Sequence, residues 1–288
     1  MSDATVVVGY DGTPQSRAAV EWASREAERR GLPLELLHAG TAPDGAEHVR
    51  AERLLEVCAQ ELGLTHPEVP LTVLDVGDPP VAALIAAAGR GSLLVLGSRG
   101  LGALRGFVVG SVSQDVLARG ACPAVLVRAA SAEPPEGLPD GGGAPGVVAG
   151  VDLRYSADVL DFACKEAELR ALPLHVVHTW GPPPGSEYVA FGTVGAPEDE
   201  LAAAEAAGLD AAVDPWRRRY PAVPITTTLA RGHAAIRLVD AATGARLLVV
   251  GRRHRGPRAA PRLGPVAHAA IHHTPSPVAI VPEGTGQE

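Results

Sequence analysis

Residues 92–128 read SLLVLGSRGLGALRGFVVGSVSQDVLARGACPAVLVR. Leu93–Leu96 is an unbroken apolar run closed by Gly97, the pattern of a strand buried on both faces. A loop with Gly97, Gly100, Gly102 and Gly106 follows. A helix is expected from Gly110-Ser111: the Ser111 hydroxyl can accept from the first free amides, and Gln114, three residues on, completes a capping box. Gly120 is placed to end that helix in a left-handed turn, and Pro123 leads into a last strand, Ala124–Val127.

Strand, glycine loop and helix start together suit an anion. First-turn amides lack partners inside a helix, and the helix dipole favours negative charge there. Glycines let the backbone come close to phosphate oxygens. The spacing is Gly97-x2-Gly100-x9-Gly110-Ser111, although spacing alone also fits a plain strand-to-helix connection. Lys165 is the only lysine of the chain and belongs to a helix expected over Ala157–Arg170. That excludes a Walker A loop and leaves no lysine beside the glycines for Schiff-base chemistry.

Upstream, Thr5–Val8 reads as a first strand ending at Gly9-Tyr10-Asp11-Gly12. Thr13 then caps a helix that starts at Pro14 and runs to Arg30 before Gly31. A second strand is expected over Pro33–Ala39, a helix over Glu47–Leu62 and a third strand over Leu71–Val76. Asp78 is expected to cap a third helix with Pro79 at its first position. Strands alternating with helices imply a parallel sheet covered on both faces.

Downstream, residues 129–145 hold four prolines and four glycines and read as a linker. The pattern then repeats. Val147–Asp152 echoes Val6–Asp11, and Leu172–His178 echoes Leu32–His38 at a shift of 140. Leu247–Gly251 echoes Leu93–Gly97 at 154, and Pro277–Val281 echoes Pro123–Val127. The difference places a 14-residue insertion in the second half, within Gly181–Pro197. Three units follow: a domain over 1–128, a linker over 129–145 and a domain over 146–288. The fold class is α/β, two tandem Rossmann-like domains, each a five-stranded parallel sheet with helices on both faces.

Gly97-x2-Gly100-x9-Gly110-Ser111, followed by Ser113 and Cys122-Pro-Ala-Val-Leu-Val127, resembles the ATP-binding branch of the universal stress protein family. The resemblance covers both halves in tandem. It implies that Gly97, Gly100, Gly110, Ser111, Val112 and Ser113, with Ser98 and Arg99 between the first glycines, hold a triphosphate. It implies Asp11 near the ribose, the backbone of Ala39 beside the adenine, and Gly9, Tyr10 and Gly12 along the same crevice, beyond the carboxyl ends of the strands. Asp11 also suits a turn-forming carboxylate, and His38 suits a core histidine better than a ligand. ATP is the implied cofactor, with Mg2+ or Mn2+ held by its phosphates. The implied role is nucleotide-dependent stress signalling with at most weak ATP hydrolysis; a scaffold that binds no nucleotide, or a slow ATPase, are the alternatives. The two halves are expected to pair through their last strands as an internal pseudo-dimer, with a homodimer and an unidentified signalling partner also open.

The second half keeps the acid as Asp152 but not the loop. His254 stands for the second glycine and Pro265 for the serine after Gly264. Proline removes one amide from the helix start. Arg252, Arg253, Arg255, Arg258 and Arg262 populate this loop; they suit an anion held by side chains, and better a solvated basic face. Poor ATP binding by the second half is expected.

Composition removes other classes. A net charge of -8 and 3% aromatic residues argue against nucleic-acid binding, despite the short run Trp216–Tyr220. No run of 18 apolar residues exists for a membrane span, and no signal peptide is expected. Cys58, Cys122 and Cys164 fit neither a disulfide framework nor zinc and point to a reducing cytoplasm. His268, His272 and His273 lack a neighbouring carboxylate or thiol for a metal, and Gly100-x-Gly102-x3-Gly106 is a poor dinucleotide fingerprint. No Ser/His/Asp or Cys/His arrangement for nucleophilic catalysis is recognisable.

Overall fold

The computed structural model describes residues 4–40, 45–98, 109–129, 146–181, 198–252 and 262–284. The first half runs β1 (Val6–Gly9), α1 (Pro14–Arg30), β2 (Leu34–Ala39), α2 (Ala46–Thr65), β3 (Leu71–Val76), α3 (Pro80–Arg90), β4 (Leu93–Ser98), α4 (Ser111–Arg119) and β5 (Ala124–Arg128). The second runs β6 (Val147–Val151), α5 (Ala157–Leu169), β7 (Leu174–Trp180), α6 (Glu198–Arg219), β8 (Ile225–Arg231), α7 (Ala234–Ala241), β9 (Leu247–Arg252), α8 (Pro265–His273) and β10 (Val278–Pro282).

The strands form one sheet in the order β3-β2-β1-β4-β5-β10-β9-β6-β7-β8. Pairing is parallel inside each half, as the strand-helix alternation requires. β5 and β10 meet antiparallel, with Ala279 opposite Val125. Helices α1, α2, α5 and α6 cover one face, where Ala19, Leu55, Cys164 and Leu209 are buried. Helices α3, α4, α7 and α8 cover the other with Leu84, Leu117, Leu238 and Ile271. Central strands therefore bury both sets of alternating side chains, which is why Leu93–Leu96 needs no polar residue.

Local signals set several helix ends as expected. Thr13 accepts from the Ser16 amide, Pro14 opens α1, and Gly31 closes it at φ 61°. Three caps differ. Pro79, not Asp78, precedes α3, because a residue before proline is pushed out of the helical region; Pro79 sits at ψ 134° and Pro80 is first in the helix. Gly110, not Ser111, caps α4, and Gln114 instead reaches back to the Val109 carbonyl. Gly120 is not left-handed: it lies at φ -58° and ψ 144°.

The halves also meet through α1 and α5. Glu26 and Glu166, 140 residues apart like the repeat, are both fully buried. Arg30 bridges Glu26 and Glu166, and Arg170 does the same from the other side, at 2.6 Å to Glu26 and 2.5 Å to Glu166. Arg30 lies over the Phe162 ring and Arg170 over Trp22, at 5.9 and 5.6 Å, so each half places its arginine on the aromatic ring of the other.

Candidate functional site

A crevice of about 270 Å³ opens at the carboxyl ends of β1, β2 and β4. The parallel sheet places it there: β1 and β4 are adjacent and their following helices leave to opposite faces. One end is polar, with Asp11 from the turn after β1, Gln15 and Ser16 from the start of α1, and Gly110–Ser113 from the start of α4. The other is apolar, with Leu37, Ala39, Pro80 and Leu84.

Asp11 is exposed at the end of β1 and builds a turn as well as lining the crevice. Its Oδ1 accepts from the Thr13 amide at 3.0 Å and the Thr13 hydroxyl at 2.6 Å. Thr13 in turn caps α1, so the carboxylate is fixed by the helix start behind it. The turn role and a place on the crevice wall coexist. Gly97 is needed for space: a Cβ there would fall 2.6 Å from the Gln15 backbone, so only glycine lets β4 run this close to α1.

The first turn of α4 has no side-chain cap. Among the described residues, none supplies an acceptor for the amides of Ser111, Val112 or Ser113. The Ser113 hydroxyl lies 3.4 Å from the Gly97 carbonyl and ties the helix start to the strand end. Uncapped amides converging with a carboxylate on one cleft give donors for an anion and an acceptor for hydroxyls.

Of the residues singled out by sequence, Gly9, Tyr10, Asp11, Ala39, Gly97, Gly110, Ser111, Val112 and Ser113 line this crevice. Arg99 and Gly100 lie outside the described residues. Ser98 is not brought to the crevice: it is buried, with its hydroxyl 3.3 Å from Arg128. Gly12 is not on the lining either; it takes the turn at φ 76° beside Leu54. The Tyr10 side chain is buried in the core near Cys58, and burial pushes its hydroxyl pKa up. His38 is not a core histidine but a half-buried partner of Asp75 at 2.8 Å, where His48 also approaches. Gln15, Ser16, Pro80 and Leu84 were missed; Gln15 and Ser16 follow directly from their place in the first turn after Asp11.

The second half has its own crevice of about 520 Å³, with Asp152, His178, Gly251, Gly264 and Pro265 on its walls. Asp152 repeats the turn by accepting from the Arg154 amide at 3.1 Å. Pro265 occupies the first helical position of α8. The Glu283 carboxylate packs onto Gly251 so closely that a Cβ there has no room. Arg262 lines this crevice, while Arg253, His254, Arg255 and Arg258 lie outside the described residues. Arg252 corrects the reading of a solvated basic face: it is 3% exposed and points into the junction of the halves, because β9 continues to this residue and carries it under the sheet.

No cluster of three histidine, cysteine or acidic side chains suited to a metal occurs among the described residues. Burial pushes the Cys122 thiol up to about 11 and Cys164 to about 12, far from a reactive thiolate. No described helix is long and apolar enough to cross a membrane.

Comparison with known proteins agrees with this architecture. The model of the universal stress protein family matches residues 4–128 and 146–282. A universal stress protein of Mycobacterium tuberculosis is 30% identical over 298 residues, covering 96% of each chain. A crystal structure described as a putative universal stress protein from Pseudomonas aeruginosa superposes with a TM-score of 0.67 at 18% identity, over 98% of this chain and 93% of its own. A universal stress protein from Archaeoglobus fulgidus, solved in complex with dAMP, matches 48% of this chain and 97% of its own at 25% identity and a TM-score of 0.35. The chain belongs to the universal stress protein family, with two copies of the family domain in tandem.

Proposed function

We propose that the first crevice binds an adenine nucleotide, ATP among them, and that the chain is a nucleotide-dependent module of stress signalling. The observation that carries this is the convergence of the uncapped Ser111–Ser113 amides with Asp11 on one cleft whose other end is apolar. Amides and dipole favour phosphate, the carboxylate accepts from ribose hydroxyls, and Leu37, Ala39 and Pro80 offer a dry slot for the base. A divalent cation, Mg2+ or Mn2+, would be held mainly by the phosphate oxygens. The described crevice presents Asp11 as its one carboxylate, already engaged with Thr13, so binding rather than turnover is the activity expected.

The second crevice is read as a poor polyphosphate site. Glu283 supplies negative charge over Gly251, and Pro265 withholds an amide. The units are taken as 1–128 and 146–288 joined by 129–145, paired through β5 and β10 in imitation of a dimer. A cytoplasmic location fits three free, buried cysteines.

Isothermal titration of the full chain with ATP and AMP tests the reading. One site per chain is expected, weakened by Asp11→Ala and lost on Ser111→Pro, which imports the residue of the second half. No heat and no thermal shift with either nucleotide would leave the scaffold reading in its place.

A further inference from the structure

Each half reaches into the other with a buried arginine. Arg252 ends β9 in the second half, yet its guanidinium donates to the carbonyls of Ala118 and Gly120 in the first, the latter at 2.5 Å. Those carbonyls close α4, the helix whose first turn faces the first crevice. Arg128 does the converse at the end of α8, donating to Thr274 and Ile271 at 2.6 and 2.7 Å. The first turn of α8 lines the second crevice. Arg252 stands, at the repeat shift of 154, where the first half has Ser98.

Packing alone does not account for an arginine here. Its Nε–H is buried with no acceptor among the described residues, and burial alone pulls its pKa down. An apolar side chain would fill the space without desolvating a charge. What the cation meets is the negative end of a nine-residue helix. A cation at that end and an anion at the other stabilise the same dipole. The two-pronged contact also pins the C-terminus of α4, and with it the direction in which the Ser111–Ser113 amides point.

We propose that Arg252 is a positioning residue for the phosphate end of the first crevice: through α4 it strengthens the binding of groups that carry negative charge and leaves the nucleoside end unaffected. This rests on the nucleotide reading above. It also assigns the second half a task for the first, since the arginine that replaces a serine in its own strand end serves the crevice of its neighbour.

Titration of the full chain with adenosine, AMP and ATP tests it in the wild type, Arg252→Met and Arg252→Lys. Arg252→Met is expected to weaken AMP and ATP by about three- to tenfold and adenosine by less than about twofold. Lysine restores part of the loss, because it keeps the charge but not the fork. Equal losses for all three ligands, or no loss, overturn the proposal. Should the methionine variant not fold, the wild type decides: the Arg252 Nε–H resonance is expected to move with AMP and stay still with adenosine, and indifference to AMP overturns it. A wild type that binds neither nucleotide fails the site reading and this proposal together; binding with unchanged ligand ratios fails this proposal alone.

Discussion

Glu26 and Arg170 lie 144 residues apart and meet at 2.6 Å, with no part of the Glu26 side chain reaching solvent. Arg30 and Glu166 complete the ring from opposite halves. Such a ring holds only when complete, since its charges were desolvated to form it. Glu26→Ala is therefore expected to lower stability by about 3–5 kcal/mol, leaving Arg30 and Arg170 short of a carboxylate. Replacing Glu26, Arg30, Glu166 and Arg170 together by Leu and Met should cost far less. Urea denaturation of both variants checks this; a quadruple variant as weak as Glu26→Ala would show that the ring itself drives docking.

Burial, with Glu26 adding to it, pushes the Glu166 carboxyl up to about 7 against the pull of Arg170 and Arg30. The sign follows from proton counts. Between the ordinary carboxylate range and pH 7, the folded chain keeps a proton that the unfolded chain has released, so this group makes stability fall as pH rises through that window. Glu166→Gln mimics the protonated form and lacks the slope. It should gain on the wild type from pH 5 to pH 8, read from denaturation midpoints at each pH. A difference that stays flat or runs the other way removes the shift.

The repeat made this seam partly legible. Glu26 and Arg30 recur as Glu166 and Arg170 at the same 140-residue shift as the second strand, so identical charges at identical positions were a visible signal. It is easily passed over, because helix α1 reads by its apolar stripe of Val20, Ala23 and Ala27, and a buried carboxylate makes sense only once its partner across the junction is placed. Strands and the Thr13-Pro14-Gly31 helix ends were legible because they depend on neighbours in sequence. Asp11, Gly97 and the Gly110–Ser113 turn were legible because the crevice lies at strand ends, where spacing reports geometry. Ser98 and Arg252 were not: each sits one residue beyond a crevice glycine, and the pleat alternation turns it to the junction instead. The cap at Ser111 failed for a related reason, since Gly110 already holds the extended backbone a cap requires.

Gly97 and Gly251 occupy equivalent strand ends but face different neighbours. A Cβ on Gly97 meets the backbone of Gln15 and Ser16, which cannot step aside without moving the start of α1. Gly97→Ala is expected to cost about 1–3 kcal/mol and to weaken nucleotide binding, because Asp11 and Thr13 move with that helix start. Gly251→Ala meets a flexible carboxylate and should cost less. Thermal melts with and without AMP separate the effects; equal melting losses for the two variants would mean that the contact at Gly97 relaxes freely.

Glu283 is the residue by which the second crevice most differs from the first. It follows β10, its amide is held by the Arg252 carbonyl at 3.1 Å, and its side chain is buried over Gly251. The equivalent position of the first half, at the 154-residue shift, is Ala129. Removing the carboxylate opens the space above the glycine and takes away a like charge from an incoming phosphate, worth about 1–2 kcal/mol at a partly buried site. Glu283→Ala should thus raise AMP affinity of the second crevice by roughly tenfold, and Glu283→Ala with Pro265→Ser, which returns the missing amide, by more. Titration reads this as a rise from one site per chain towards two and, with Ser111→Pro added to silence the first crevice, from none towards one. If the double variant still binds one nucleotide, Asp152 and the α8 start lack the geometry that Asp11 and α4 share, and Glu283 is not what closes the second site.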